Sequence, residues 1–183
     1  MTRDDLSDDL FLIAPDGSAD APEAATLSFT RTPTVLLAFA ANRFTRAASR
    51  DYQARFGLGA MDWRMLVMLT REPGSTVSHA ARTIGIDKAA VSRSLQRLEK
   101  AGLAVPTAEG SDDRRKSWRL TEAGRALHAE ILAHALARLK RLLRGFSPEE
   151  VQSLTGYLSR LLENIDGAFD DGIEESPAGD RGQ

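Results

Sequence analysis

The sequence predicts a mainly α-helical protein with one short β-hairpin, and three observations predict it. Apolar residues recur at helical spacing through most of residues 32–165. Gly, Pro, Ser, Thr and Asp fall where those periodic stretches begin and end. Only two short segments, 103–105 and 116–120, alternate apolar and polar residues as strands do. At 183 residues and 42% hydrophobic content, the chain has enough apolar material for a buried core.

The first helix is expected over 32–56. Pro33 suits its first turn, Leu36, Phe39, Phe44 and Ala47 mark an apolar side, and Gly57 and Gly59 end it. Residues 60–72 are apolar nearly all round, which predicts a buried helix stopped by Pro73 and Gly74. Ser75 or Thr76 then caps a short helix with Val77, Ala80, Ala81 and Ile84 on one face, ending at Gly85. Ile86 fills a tight turn, and Asp87 caps the next helix, in the stretch "DKAAVSRSLQRLEKAGLAV", which ends at Lys100 and Gly102. Helical spacing buries its Val91, Leu95 and Leu98 and exposes Lys88, Ser92, Arg93, Gln96 and Arg97. The hairpin follows, its strands joined by the polar loop "PTAEGSDDRR". Thr121 opens a long helix running to about Gly145 through Leu127, Ile131, Leu139 and Leu142. "SPEE" opens the last one, with Ser147 as cap, Pro148 at the first position and Glu150 closing a capping box. Val151, Leu154, Leu158, Leu161 and Ile165 line its buried side.

The formal net charge of −2 conceals an asymmetry. Residues 1–30 carry one Arg against seven acids and residues 166–183 one Arg against six, whereas residues 60–125 carry twelve Lys or Arg against eight acids. A basic centre between acidic ends suggests that the centre meets an anion. Residues 1–28 read as a disordered acidic tail whose Leu10–Ile13 cluster is the one segment able to dock, and residues 166–183 read as a second acidic tail. There is no run of about 18 apolar residues, so no membrane span is expected. Four acids among the first nine residues argue against a signal peptide. Zero cysteines exclude disulfides, a Cys-based zinc site and a thiol redox switch. A cytoplasmic location is the expectation.

Two short helices joined by a tight turn, the second polar in its N-terminal half, make a helix-turn-helix pattern. In that arrangement the second helix enters the major groove, and its early residues meet base edges. Ala89 and Ala90 are small where backbone must come close, and Ser92, Arg93 and Gln96 can bond bases, Arg favouring guanine and Gln adenine. Lys88 and Arg97 suit phosphates, as do the hydroxyls of Thr76 and Ser78 at the start of the preceding helix. A solvated amphipathic helix shows the same pattern in isolation; the hairpin after it favours the DNA reading. Its "SDDRRK" tip brings Arg114, with Arg115 beside it, to an adjacent minor groove, and Asp112 is placed to orient Arg114.

From about residue 32 to 165 the chain resembles the MarR family of bacterial winged helix-turn-helix regulators. The resemblance rests on "IDKAAVSRSLQRLEKAGL" (86–103), on "DDRRKSWRLTEAG" (112–124) with its Asp, Arg and Leu-Thr-x-x-Gly, and on "FGLGAMDWRML" (56–66). By that match Asp112, Arg114, Leu120, Thr121 and Gly124 take the family's wing roles. The resemblance implies a winged helix-turn-helix at 60–120, flanked by dimerisation helices at 32–56 and 121–165. It implies a homodimer on a pseudo-palindromic operator, acting as a repressor released by a small aromatic or phenolic effector. Arg46, Arg50, Trp63 and Arg64 are the residues suited to an anionic aromatic effector, although Trp63 in so apolar a helix also reads as core. The family's thiol-oxidation sensing is excluded by the lack of cysteine.

No Gly-rich phosphate loop, G-x-S-x-G or H-E-x-x-H is present, so neither an enzyme nor a cofactor is expected. Asp112 and Asp113 are paired carboxylates on a tip with nothing to exclude water. His128 and His134 are not spaced for one helical face and His79 lies apart, so no metal site is expected. The alternative to a DNA-binding regulator is a winged-helix interaction module whose basic face serves an acidic protein.

Overall fold

The computed structural model describes residues 6–14, 25–107 and 116–170. The chain divides into two compact units, residues 1–132 and 133–183. In the first unit a 3-10 turn (Asp8–Leu10) and strand β1 (Leu12–Ile13) precede strand β2 (Thr26–Leu27) and helices α1 (Pro33–Phe56) and α2 (Ala60–Arg71). Strand β3 (Ser75–Thr76), helices α3 (Val77–Ile84) and α4 (Lys88–Lys100) and strands β4 (Ala104–Thr107) and β5 (Ser117–Leu120) follow. Helix α5 (Glu122–Leu142) begins in the first unit and ends in the second, which also holds helix α6 (Pro148–Asp170).

The helix ends follow their local chemistry. Gly57 closes α1 in the left-handed conformation at φ 69°. Thr76 Oγ1 accepts the His79 amide at 3.2 Å to start α3, and Asp87 Oδ1 accepts the Ala90 amide at 2.8 Å to start α4. At α6 the Ser147 amide donates to Glu150 Oε2 at 2.7 Å, and the Glu150 amide returns to Ser147 Oγ at 3.2 Å, closing the expected capping box. Helix α6 runs to Asp170, past Ile165 and into residues expected as tail.

The sheet is larger than the expected hairpin. Strands β4 and β5 pair antiparallel, Ala104 opposite Leu120 and Thr107 opposite Ser117. β3 adds to the other side of β5, Ser75 opposite Trp118, giving the order β3-β5-β4. Two residues before α3 are too few to show strand periodicity, and only pairing with a segment some forty positions later makes them a strand. Pro106 lies in β4, an edge strand, where its missing amide donor is tolerated.

The core of the first unit lies between α2 and α4. Met65, Leu66 and Leu69 of α2 and Val91, Leu95 and Leu98 of α4 are buried, joined by Ala80 and Ala81 of α3, Trp118 and Leu120 of β5, and Ile131 of α5. α2 packs on α1, α4 and β5, and α3 on α4. The apolar side marked on α1 faces out of the chain. Leu36, Phe39, Phe44 and Ala47 are exposed, and Ala48 and Tyr52 are the residues buried. Helical periodicity marks an apolar face without saying what covers it.

Residues 6–14 and 25–28, expected within a disordered tail, carry regular structure. β1 pairs antiparallel with β2, Leu12 opposite Leu27. The Phe11 carbonyl accepts the Ser28 amide at 2.7 Å and the Thr32 hydroxyl at 3.2 Å, and Arg31 Nη2 reaches the Asp9 carbonyl at 2.6 Å. The apolar cluster near residue 11 is thus tied to the start of α1 through backbone carbonyls, a pairing that composition does not reveal.

Candidate nucleic-acid interface

α4 presents two faces. Val91, Ser94, Leu95 and Leu98 are buried, whereas Lys88, Ala89, Arg93, Gln96 and Arg97 are exposed and Ala90 and Ser92 are half-buried. The small Ala89 leaves the helix start open between Lys88 and Arg93, and Asp87 holds that start by capping Ala90. In the preceding helix Ser78 is exposed, and Thr76 is half-buried with its hydroxyl oxygen already accepting the His79 amide. His79 Nε2 is 2.5 Å from Glu72 Oε2, a pairing within the protein.

Arg97 differs from the simple phosphate-facing residue that spacing suggests. Its Nε and Nη2 donate to Asp62 Oδ1 at 3.1 and 2.7 Å. Asp62 lies on α2 and is only 4% exposed, while the Arg97 side chain remains 53% exposed. Ser94 Oγ donates to the same carboxylate oxygen at 2.6 Å, and the Gly59 amide donates to Oδ2 at 3.1 Å. Asp62 and Ser94 were missed from the sequence. The available signal was a lone acid in a mostly apolar helix, which burial accepts only with partners.

On the hairpin, Lys116 and Arg119 are exposed, and the Lys116 ammonium sits 5.4 Å from the centre of the Trp118 ring. These two cations were also missed, because alternation in a short strand does not say which of its faces meets solvent. Asp112, Arg114 and Arg115 lie outside the described residues. Behind the hairpin, Thr121 Oγ1 donates to the Gly102 carbonyl at 2.8 Å and accepts the Gly124 amide at 3.0 Å. One hydroxyl therefore ties the end of α4 to the start of α5.

The four residues suited to an effector are not gathered together by contacts of their own. Trp63 is half-buried, stacked on His128 of α5 with ring centres 5.3 Å apart at 20°, and lies 6.0 Å from the Tyr52 ring of α1. Arg64 donates to Thr45 Oγ1 at 3.2 Å, and Arg46 and Arg50 are exposed on α1. Burial holds the His128 pKa below the ordinary histidine value, because the charged ring loses hydration. The unfolded chain therefore takes up this proton first as pH falls, so the stability contribution present at neutral pH is lost on acidification through the ordinary histidine range. His128→Phe keeps a stacked ring and removes the titration. Thermal melts at about pH 7.5 and about pH 5.5 should show a larger drop for the wild type than for the variant. Equal drops would assign the acid sensitivity to other groups.

A helix-turn-helix whose second helix is polar outward, followed by a hairpin braced by a third strand, defines a winged helix-turn-helix protein. The model of the MarR family matches residues 56–115, from the end of α1 through β4. Among solved structures, the chain is similar to a MarR/EmrR family transcriptional regulator from Acinetobacter sp. ADP1. That identity is 29%, with 77% of this chain and 99% of that one covered and a TM-score of 0.72. A MarR-family transcriptional regulator from Silicibacter pomeroyi is 25% identical over 81% of this chain and 96% of its own, with a TM-score of 0.65. The S. aureus MepR–DNA complex shares the fold at 21% identity, with a TM-score of 0.63 over 75% of this chain and 99% of that one. Residues 56–115 therefore resemble the MarR family, and the chain as a whole has the winged helix-turn-helix fold of these regulators. Among the described residues, no helix is long and apolar enough to cross a membrane.

Proposed function

We propose that the protein is a homodimeric, sequence-specific DNA-binding regulator that represses from a pseudo-palindromic operator and is released by a small aromatic or phenolic effector. The observation that carries this reading is the outer face of α4, where Lys88, Ala89, Arg93 and Gln96 stand clear of the buried Val91, Leu95 and Leu98. Arg93 and Gln96 read bases, Lys88, Thr76 and Ser78 hold phosphates, and Arg114 and Arg115 at the wing tip reach the adjacent minor groove with Asp112 as support. Exposed Lys116 and Arg119 add positive charge along the same hairpin. The solved MepR–DNA complex of the same fold supports DNA as the partner.

Exposed apolar residues support the dimer. Leu36, Leu37, Phe39 and Phe44 on α1 are exposed in the first unit, and Leu136, Leu139, Leu142, Leu154 and Leu162 in the second. Such surface is unusual on a monomer and is removed from water when two copies pair. Paired about a two-fold, the recognition helices stand roughly one DNA turn, about 34–36 Å, apart. The effector acts through Trp63 and the arginines Arg46, Arg50 and Arg64. It favours a dimer geometry whose helix spacing no longer matches the operator. A regulator of this kind works in the cytoplasm, where its DNA is.

Titration of duplex DNA at several salt concentrations tests the reading. Affinity should fall steeply with salt, and one site should be preferred tenfold or more, roughly. Arg93→Ala should lose about 1–3 kcal/mol of discrimination, while Lys88→Ala weakens all sequences about alike. Two variants that behave identically on preferred and random DNA would overturn these roles, and no salt-dependent binding to any duplex would favour the interaction module.

A further inference from the structure

A carboxylate buried in the apolar interface between α2 and α4 has a desolvation cost that leucine at the same place would not have. Asp62 is held there by four donors from three places: the Gly59 amide, Ser94 Oγ, and Arg97 Nε and Nη2. Val91, Leu95 and Leu98 press α4 onto the core, but apolar contact has no direction and tolerates small slides and rotations of a helix. Hydrogen bonds weaken steeply with angle and distance. Ser94 and Arg97 are one helical turn apart on α4 and converge on a single oxygen, at 2.6 and 2.7 Å. That convergence determines both the rotation of α4 about its axis and its position along it. Arg97 stands only about 40° around the helix from Arg93, so whatever holds Arg97 also aims Arg93.

We propose that Asp62 is a positioning residue for DNA reading, one buried carboxylate on α2 that holds α4 in register so that Arg93 and Gln96 meet the bases. This rests on the DNA-binding reading above and adds to it. The carboxylate orients the Arg97 guanidinium as well as α4. Arg97 Nη1 makes no hydrogen bond among the described residues, and the half-exposed side chain offers that edge to a phosphate already in a fixed orientation. Asp62 also offsets the Arg97 charge, so its effect on specific and on non-specific binding is opposite.

The test uses the full chain. Wild-type protein enriches a preferred duplex from a randomised pool, and that duplex and a scrambled one are titrated at several salt concentrations. Asp62→Asn keeps the size and an oxygen for the Gly59 amide but withdraws the negative charge from Arg97. The preferred duplex is expected to bind about tenfold or more weakly, while the scrambled duplex binds as well or better, its salt slope steeper by about one as the Arg97 charge is released. Equal loss on both duplexes, or an unchanged ratio, overturns the proposal. If Asp62→Asn shows no cooperative melt, Arg97→Lys decides, because it keeps the charge and lacks the planar fork. Lost preference with scrambled binding retained supports the role, and retained preference overturns it. A wild-type chain that enriches no duplex removes the DNA reading itself, an outcome separate from either variant's.

Discussion

Gly124→Ala should lower the melting temperature by on the order of 10 °C, the equivalent of about 3 kcal/mol in a chain of this size. A Cβ at this position would lie 2.0 Å from the Leu103 carbonyl oxygen and 3.0 Å from its carbon. Both are backbone atoms, so no side-chain rotation relieves the contact. The same carbonyl accepts the Thr121 amide at 3.0 Å, and the Thr121 hydroxyl caps the Gly124 amide. Moving α5 away from Leu103 therefore breaks the junction where α4 ends, β4 begins and α5 starts. The damage should extend beyond stability, because the hairpin that follows α4 is oriented through this junction. Circular-dichroism melts check the shift, and a variant melting within about 2 °C of wild type would mean that the close approach relaxes at little cost.

The second large effect concerns assembly. If the proposed dimer forms, Leu139→Asp should turn it into a monomer that still folds. Leu139 is 47% exposed on α5 in the second unit, with Leu136 and Leu142 near it on the same helix. In a lone chain an aspartate there is solvated. In a dimer that buries this face the charge loses its water without a partner, a cost of several kcal/mol, or about a hundredfold or more in dimer dissociation. Operator affinity should fall further still, since each half-site is then bound without a tethered second one. Sedimentation equilibrium reads the mass, and Leu139→Ala separates lost contact from added charge. A wild-type monomer would overturn the dimer itself, and a variant that keeps both its dimer mass and its operator affinity would put the interface elsewhere.

Much of the helical order was legible in the sequence because its causes are local. Thr76, Asp87 and Ser147 cap helices through bonds spanning three residues, and Gly57 and Gly85 stop helices through their own φ angles. The two faces of α4 follow from a 3.6-residue repeat, so Val91, Leu95 and Leu98 are legible as core and Arg93 and Gln96 as surface. The partner of α1 was not legible. Its apolar side chains signal that something covers them, yet within the chain it is Ala48 and Tyr52 that are buried. The same gap explains the missed strand β3 and the pairing of β1 with β2.

By itself the sequence determined where most helices begin, which face of α4 is polar, and that Gly124 belongs to a motif. Only the tertiary structure decided that Arg97 is held by Asp62 thirty-five residues earlier, that Ser75 pairs with Trp118, and that Gly124 is small because the Leu103 carbonyl occupies the space a side chain would need. The division follows the range of the forces. Backbone sterics and capping bonds act within one turn and are written in adjacent residues, whereas a buried carboxylate finds its donors only after the chain has folded back on itself.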